Sequence, residues 1–361
     1  MDSRNTRNFG AGKTLNDSTI RILARRTMKF VKRGSATYNK CVSALHDVAT
    51  FLRENYGIRD ISECDQAKYN SYCRNLHMRR CDEDEGLSSS TTSGYVSSLN
   101  AVFEAHGVGL HARASEFGIS RGERFSNENK SITEEDYLAI RNELSQLYKE
   151  TWDIRYMALR GVFDMEREMG LRFRESAQLK IIYKDFSKNV VSLDERGDGA
   201  KNHRERTFTS VNDLVLTREH QSFIREHAHI FSRGSSIPGD MTYGQFEDWA
   251  GYHLTKIVRK LGIVLPDNVK FHGNRHYYAL KSYSTKWEKR TGHKVLCSVE
   301  IGEFGGDWVT YAADLTGLSR EEVFQIDGEI RDQVSDELGH GRIDVVNTYA
   351  GGRRKRKQVV L

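Results

Sequence analysis

Apolar residues at helical spacing characterise the first third of the chain. Between positions 35 and 55 they recur three or four residues apart, which places them on one face of an α-helix that needs a packing partner. The members of this face are Tyr38, Cys41, Val42, Leu45, Val48, Ala49 and Leu52. Similar spacing at 65–77 and after the Ser/Thr run at 88–93 predicts two more helices. We therefore predict a small all-helical domain over residues 35–116.

A polar segment and a change of pattern mark a second domain. Residues 117–130 contain Gly and no hydrophobic periodicity, which is typical of a linker. The sequence S-I-T-E at 131–134 then predicts a helix start through a capping box, and helical spacing returns later from about residue 243. Three intervening segments rich in Val, Ile or Thr predict short strands: 181–186, 189–194 and 206–210. The sequence thus predicts a mainly α fold with a small β-sheet, of the α+β class.

Composition narrows the class of protein. The 361 residues suffice for two or three domains, and 38% hydrophobic and 29% charged residues fit a soluble globular chain. Five Cys without a C-x-x-C pair argue against a disulfide framework and against an all-cysteine zinc site. The sequence contains no apolar run of about 18 residues and no apolar signal-peptide core. We expect a cytoplasmic protein without a bound metal.

The excess of positive over negative charge lies at the two ends of the chain. Residues 1–40 contain ten Lys or Arg and two Asp, and residues 353–357 read R-R-K-R-K, whereas the net charge of the whole chain is only +5. Basic ends on an acidic body indicate a polyanionic partner such as nucleic acid. The alternative is that these ends are solvated and only aid solubility. The candidate DNA-binding residues lie in a basic N-terminal arm, residues 1–34: Arg21, Arg25, Arg26, Lys29, Lys32 and Arg33.

Four separated motifs contain the residues that could carry chemistry. The first is G-L-R-F-R-E at 170–175, and the second is Lys201 in a polar turn between two predicted strands. The third is H-G-N-R-H at 272–276, and the fourth is L-G-H at 338–340 with Tyr349 nine residues after the histidine. Each motif alone is weak, but the four in this order, behind a helical domain, form a specific set. This set resembles the tyrosine recombinase (phage integrase) family, in particular the integrase-like proteins of genomic islands and prophages.

The resemblance implies a two-domain architecture and a reaction. The helical domain is similar to the family's core-binding domain, and residues 131–361 are similar to its DNA breaking-rejoining catalytic domain. The implied activity is site-specific recombination through a 3′-phosphotyrosyl intermediate, for integration or excision of a mobile element, without a cofactor. The implied partners are double-stranded DNA with attachment or recombination sites, further copies of the chain in a homotetramer, and accessory DNA-bending or excision factors. The implied location is the nucleoid.

The resemblance also assigns the groups that act on the phosphate. Tyr349 matches the nucleophile, and a free tyrosine has a pKa of about 10, so its oxygen needs assistance near neutral pH. Arg172 and Arg275 match arginines that bind phosphate oxygens with planar guanidinium groups and stabilise the phenolate. His340 matches a donor to a non-bridging oxygen. Glu175, one helical turn after Arg172, is expected to support that arginine rather than to act as an acid.

Proton transfer is assigned to His272 and Lys201. The resemblance implies that His272 accepts or relays the tyrosine proton and that Lys201 protonates the departing 5′-oxygen. His276 is expected to be structural. Both neighbours of Lys201 differ from the glycines that usually flank this lysine in the family, whereas Arg206 matches the final arginine of the lysine motif.

Two segments extend the family pattern. An insertion, which we place at about residues 286–332, separates the third motif from the fourth, and the sequence does not indicate its role. The tail, residues 350–361, follows the tyrosine. By analogy with related recombinases we expect the Gly-Gly pair at 351–352 to act as a hinge and residues 358–361 to dock on a neighbouring subunit.

Two other functions stay open at this point. A type IB topoisomerase uses similar Arg, Lys, His and Tyr chemistry but relaxes DNA as a monomer. The helical domain and the spacing from His340 to Tyr349 favour the recombinase. A non-catalytic DNA-binding relative of the integrases would keep the fold without the reaction, although all six candidate catalytic residue types are present here.

Overall fold

The computed structural model describes most of the chain. It covers residues 16–27, 36–80, 86–119, 128–194, 197–200, 205–266, 271–341 and 343–352. Outside these ranges lie Lys29, Lys32, Arg33, Lys201, most of the predicted linker and residues 353–361. The chain divides into two compact units, Met1–Glu123 and Arg124–Leu361. The described residues are mainly helical with a two-stranded sheet, as predicted. None of the helices in these ranges is long and apolar enough to span a membrane.

The first unit is helical. Its helices are α1 (Asp17–Thr27), α2 (Ala36–Tyr56), α3 (Gln66–Arg80) and α4 (Ser89–Ala105), with 3₁₀ turns at Ile61–Glu63 and Ala114–Phe117. The apolar face predicted over residues 35–55 is buried in the core of this unit, except for Val42, which is partly buried. The Ser/Thr run caps α4 as predicted, since the hydroxyl of Ser88 accepts a hydrogen bond from the backbone N–H of Thr91 at 3.2 Å.

Part of the stretch interpreted as an N-terminal arm is a helix of this unit. The apolar side of α1 consists of Ile20, Leu23 and Ala24, all buried, and the helix packs against α2 and α4. Arg21, Arg25 and Arg26 lie on the same helix with exposed side chains. The apolar spacing of three and four residues is helical, but arginines between these residues lower the mean hydropathy and obscure it.

The second unit contains further helices and the sheet. Its elements are α5 (Glu134–Thr151), α6 (Ile154–Met169), α7 (Phe173–Gln178), β1 (Val190–Leu193), β2 (Arg206–Thr209), α8 (Val215–Glu226), α9 (Tyr243–Lys260), α10 (His272–Thr291), α11 (Ser298–Ile301), α12 (Gly306–Thr316), α13 (Arg320–Glu337) and α14 (Ile343–Ala350). The cap of α5 is Thr133, whose hydroxyl accepts from the backbone N–H of Asp136 at 3.1 Å. The sequence T-E-E-D at 133–136 has the same capping pattern as S-I-T-E at 131–134. The helix uses the later cap, so α5 begins two residues after the predicted start.

Two of the three predicted strands are confirmed. β1 and β2 pair antiparallel, with Leu193 opposite Arg206. The strand predicted at 181–186 is wrong, because Ile181–Tyr183 forms a 3₁₀ turn. The carbonyl oxygen of Ile181 accepts a hydrogen bond from the side chain of Gln221 at 2.6 Å. A side chain of α8 thus provides the hydrogen bond for a backbone carbonyl group that has no partner in a neighbouring strand.

Two buried cores organise the second unit. One surrounds α6 and includes Phe163. The other joins α10, α13 and α14 and contains both Trp287 and Tyr349. The interval predicted as an insertion, about 286–332, forms α11, α12 and much of α13, and its buried Trp308 belongs to this second core. The interval is therefore packed into the core that holds Tyr349.

Candidate active site

The glycine of the first motif ends a helix and brings Arg172 to the start of the next. Gly170 adopts φ +63°, and a side chain at this position would collide with the ring of Tyr278. Its backbone N–H donates to the carbonyl of Glu166 at 3.0 Å, which closes α6. Arg172 then caps α7, and its backbone N–H donates to Oε2 of Glu175 at 2.9 Å. The G-L-R-x-x-E spacing thus describes a helix end followed directly by a helix start.

Glu175 is a buried carboxylate among three arginines. Nη1 of Arg172 donates to its Oε1 at 2.7 Å, and Arg206 donates to both oxygens at 3.2 and 2.9 Å. Nη1 of Arg275 lies 3.8 Å from Oε2. Burial alone raises the pKa of Glu175, but the hydrogen bonds and charge of Arg206, then the charges of Arg275 and Arg172, hold it well below its ordinary value. Glu175 is therefore ionised at neutral pH and orients the arginines.

Arg275 is fully buried, and all three of its nitrogens have partners. Nη1 donates to the carbonyl of Gly170, and Nη2 donates to the carbonyl of Leu338 at 2.6 Å. Nη2 also lies 3.0 Å from Nε2 of His340, and Nε donates to the phenol oxygen of Tyr349 at 3.1 Å. Only a forked guanidinium reaches so many acceptors at once. Arg275 thereby joins the ends of α6 and α13 to Tyr349.

The L-G-H motif forms the C-terminal cap of α13. The N–H of Gly339 donates to the carbonyl of Asp336 at 2.8 Å, and the N–H of His340 donates to the carbonyl of Ser335 at 2.9 Å. This Schellman pattern requires a left-handed residue, which Gly339 provides with φ +65°. A side chain there would collide with the guanidinium of Arg206. The glycine is thus required both by the backbone and by the packing of the site.

His340 lies between two guanidinium groups and the phenol. Its Nε2 is 3.0 Å from Nη2 of Arg275 and 3.3 Å from the oxygen of Tyr349. Its Nδ1 is 3.5 Å from Nη2 of Arg172. Burial, followed by the positive charges of Arg275 and Arg172, lowers the pKa of His340 to about 3. The imidazole is therefore neutral near neutral pH, and its Nε2 accepts a hydrogen bond from Arg275.

Tyr349 belongs to α14, and only 7% of its surface is exposed. Its ring packs against the ring of His276, with centroids 4.5 Å apart, and Cζ of Arg275 lies 5.9 Å from its centroid. Burial, followed by the charges of His272, Lys130 and Arg275, lowers the pKa of His276 to about 3. His276 therefore packs on the tyrosine as a neutral ring.

The site has an excess of positive charge. Arg172, Arg206 and Arg275 surround one ionised carboxylate, Glu175. Burial raises the pKa of Glu166 well above its ordinary value, which favours its neutral form. The side chain of Arg172 retains 14% exposure, so a ligand can reach its guanidinium. Such a group of arginines favours an anion with several oxygens, such as a phosphate. Within the part of the chain that the structure describes, no group of three His, Cys, Asp or Glu could hold a metal.

The structure brings together most of the residues selected from the sequence. They are Arg172, Glu175, Arg275, His276, His340 and Tyr349. His272 is the first residue of α10, one turn before Arg275, and its side chain is exposed. Lys201 lies outside the described residues. The sequence motifs assign no role to Arg206, although its guanidinium donates to both carboxylate oxygens of Glu175. Its match to the last position of the lysine motif was the signal that could have identified it.

The chain shares its fold with solved tyrosine recombinases. It aligns with the XerH site-specific recombinase bound to difH substrate at a TM-score of 0.56 and 11% identity, over 99% of this chain and 89% of that one. It aligns with the Tn1549 transposon integrase in complex with circular intermediate DNA at a TM-score of 0.52 and 13% identity, over 94% and 96%. No family model and no curated protein sequence matches the chain. Likeness at this level of identity establishes the fold, and it confirms the fold that the motifs imply.

Proposed function

We propose that this chain, which has the fold of the tyrosine recombinases, is a site-specific recombinase that cuts and rejoins DNA through a 3′-phosphotyrosyl intermediate. The main support is the pair of groups at the phenol oxygen of Tyr349, with Nε of Arg275 at 3.1 Å and Nε2 of His340 at 3.3 Å. Buried tyrosines elsewhere in the chain, such as Tyr137 and Tyr283, donate to carboxylates, whereas the oxygen of Tyr349 accepts from a guanidinium. Such a cationic donor stabilises the phenolate of a nucleophilic tyrosine, whereas Nε2 of the neutral His340 is an acceptor at this oxygen.

The scissile phosphate is proposed to bind beside Tyr349, against Arg172 and His340. Glu175 orients the guanidinium of Arg172, which is partly exposed, and its Nη2 lies 3.5 Å from Nδ1 of His340. A phosphodiester there offsets the excess positive charge of the site. Its negative charge also raises the pKa of His340, so that the neutral imidazole of the free protein becomes a donor to a phosphate oxygen.

In the proposed reaction the phenol oxygen of Tyr349 attacks phosphorus, and the bond from phosphorus to the 5′-oxygen breaks. The phenol proton passes to His272, directly or through a relay, and the departing oxygen takes a proton from Lys201. Arg172 and Arg275 stabilise the charge that develops on the non-bridging oxygens. Because the phosphotyrosyl ester retains the energy of the broken bond, the 5′-hydroxyl of another strand can reverse the step and complete an exchange.

The proposed substrate is double-stranded DNA with recombination sites, and the proposed assembly is a homotetramer on that DNA. The solved XerH and Tn1549 integrase structures contain a difH substrate and a circular intermediate DNA. Exposed Arg21, Arg25 and Arg26 of α1 are candidate contacts to the phosphate backbone. Integration or excision of a mobile element, with accessory DNA-bending or excision factors, is the proposed setting.

A nicked suicide substrate tests the proposed reaction. In this duplex the short 5′-hydroxyl fragment diffuses away after cleavage, so the protein stays joined to the DNA. The duplexes are taken from repeats in the DNA that flanks the gene. We expect a covalent adduct through Tyr349, no adduct with Tyr349→Phe, and a normal amount with Tyr252→Phe, which changes an exposed tyrosine of α9.

Assays of recombination, plasmid relaxation and DNA binding distinguish a recombinase from the two other candidate functions. Recombination between two plasmids that carry the repeats, abolished in Tyr349→Phe, is the expected result. Relaxation of a supercoiled plasmid that lacks any such repeat, by the monomeric protein, would identify a type IB topoisomerase instead. DNA binding without an adduct on any duplex would identify a non-catalytic relative and refute the proposed reaction.

A further inference from the structure

One buried guanidinium binds α14 on both sides of Tyr349. Arg331 lies in α13, at the end of the interval predicted as an insertion, and is fully buried. Its Nη1 donates to Oδ1 of Asn347 at 2.8 Å and to the carbonyl oxygen of Gly351 at 2.8 Å. Asn347 precedes Tyr349 by two residues and Gly351 follows it by two. A single side chain therefore spans the helical turn that carries the tyrosine.

Arg331 is itself held firmly. Its Nε donates to the two carboxylate oxygens of Asp327, one turn earlier in α13, at 2.9 and 3.0 Å. Asp327 also accepts a hydrogen bond from the hydroxyl of Tyr283 in α10 at 2.6 Å, and Cζ of Arg331 lies 5.6 Å from the Tyr283 ring centroid. Moving Asp327 or Arg331 leaves a buried charge without its partner, which is costly. The group that binds α14 therefore has one well-defined position.

A second part of the insertion contacts the end of α14. Gly351 has φ +82°, and a Cβ there would lie 3.0 Å from Ser298 and 3.1 Å from Phe304 and Val299. The backbone after α14 thus packs directly on α11 and the segment that follows it. Arg331 and this contact together fix the last turn of α14 relative to the insertion.

We propose that Arg331 is a positioning residue that holds Tyr349 in place for attack, and that the insertion supplies this function. The proposal rests on the recombinase reaction proposed above. α14 has only eight residues, too few for a stable isolated helix, so its placement depends on tertiary contacts. A shift of about 1 Å at a reacting group can cost on the order of 100-fold in rate. The distance of 3.1 Å between Arg275 and the phenol oxygen depends on this placement.

Three variants separate positioning from general stability. Asn347→Ala removes one of the two hydrogen bonds from Arg331 to α14 and leaves the buried ion pair intact. The double variant Asp327→Leu with Arg331→Met removes the pair and both bonds without leaving an unpaired buried charge. Glu329→Gln is the matched control, because Glu329 forms a partly exposed ion pair with Arg290, 2.8 Å long, from the same helix α13.

The first measurement is single-turnover adduct formation at saturating suicide substrate, with rate and amplitude recorded separately. We expect Asn347→Ala to lower the rate about 10-fold and the double variant to lower it up to about 100-fold. Amplitude and DNA affinity should stay at the wild-type values, as should every parameter of Glu329→Gln. A purely structural role would instead lower the amplitude and leave the rate unchanged. That result, or unchanged rates in both variants, would overturn the proposal.

Amide hydrogen exchange tests the position of α14 without any cleavage. Exchange over residues 343–350 should be faster in Asn347→Ala and in the double variant than in the wild type, and unchanged in Glu329→Gln. Exchange in α5 should be equal in all four proteins. If the wild type forms no adduct, the recombinase reaction fails, yet faster exchange confined to α14 still supports Arg331 as its anchor. Equal exchange of α14 in all four proteins refutes that role.

Discussion

The Nε atom of Arg275 donates a hydrogen bond to the phenol oxygen of Tyr349 at 3.1 Å, although the two residues are 74 positions apart. The other two nitrogens of the same guanidinium bind the carbonyls of Gly170 and Leu338. The donor at the phenol is therefore fixed by backbone atoms of the first and fourth motifs. Because these contacts exist in the free protein, the attack proposed for Tyr349 requires little reorganisation at the phenol oxygen.

Arg275→Lys should lower activity strongly while keeping the positive charge. The donors of an ammonium group sit on one nitrogen, so it cannot reach Gly170, Leu338 and Tyr349 together. We expect the rate of adduct formation to fall about 100- to 1,000-fold, measured in a single turnover at saturating DNA. Arg290→Lys changes a half-exposed arginine of the same helix and should retain the wild-type rate. A wild-type rate of cleavage in the Arg275→Lys variant would contradict the role assigned to the forked guanidinium of Arg275.

Glu175→Gln should destabilise the fold and misplace Arg172. The substitution keeps the size of the side chain but leaves Arg172 and Arg206 without their counter-charge. Breaking a buried ion pair in this way costs about 3–5 kcal/mol, so the free energy of unfolding at neutral pH should fall by about that amount in urea titrations. The rate of adduct formation should fall as well. Equal unfolding free energies for variant and wild type would show that the carboxylate is not a structural support.

Acid should reduce the difference in unfolding free energy between the wild type and Glu175→Gln. The pKa of Glu175 is lowered in the folded state from about 4.3 in the unfolded chain. Its ion pairs therefore add stability above that pH, and this contribution disappears as the pH falls toward the lowered value. The gap in unfolding free energy between the wild type and Glu175→Gln should shrink below about pH 4. A gap that stays constant on acidification would argue against an ionised Glu175.

His340 should stay neutral in the free protein at mildly acidic pH. Its pKa is about 3 in the folded state and about 6.5 in the unfolded chain. The stability linked to the neutral ring is therefore complete above about pH 6.5 and disappears as the pH falls toward the folded value. In NMR spectra of labelled histidine rings, the signal that His340→Gln removes should not titrate between about pH 8 and about pH 5.

Adding substrate duplex should raise the pKa of His340. A phosphate beside His340 favours the charged ring. The NMR signal of His340 should therefore move toward the protonated form at a pH where His340 of the free protein is neutral. The signal of His220, buried against Ser236 at 2.9 Å, is the internal control and should not move. A titration of His340 near pH 6.5 in the free protein would contradict the arrangement of charges described for the site.

Local motifs made the local geometry of the candidate site predictable from the sequence. G-L-R-x-x-E is a helix end followed by a helix start, and L-G-H is a Schellman cap, so a few adjacent residues determine each geometry. The partner of Arg206 is Glu175, which is distant in the chain, and no local pattern reveals that contact. The same is true of Arg331, whose partners Asn347 and Gly351 lie on another helix and just after it. Tertiary contacts of this kind do not follow from spacing alone.

The fold was predictable where hydrophobic spacing is long and regular, as in α2. It was not predictable at residues 181–186, because a short apolar run has the same appearance in a strand and in a 3₁₀ turn. The deciding partner, Gln221, lies 40 residues later. The sequence pattern does not reveal α1 for a related reason, since its three buried residues alternate with exposed arginines and the helix depends on packing against α2 and α4.

The exposed arginines of α1 should increase DNA affinity without contributing to folding. The apolar side of α1 holds the helix in place, so replacing Arg25 and Arg26 together by Gln should leave thermal unfolding nearly unchanged. The slope of log affinity against log salt concentration should decrease by about 0.9 for each phosphate that the variant no longer neutralises, measured by fluorescence anisotropy over a salt series. Arg21→Gln is the control on the same helix, because Arg21 is already paired with Asp17 at 2.7 Å and should contribute less. A slope that is unchanged in the double variant would leave these arginines with a role in solubility alone.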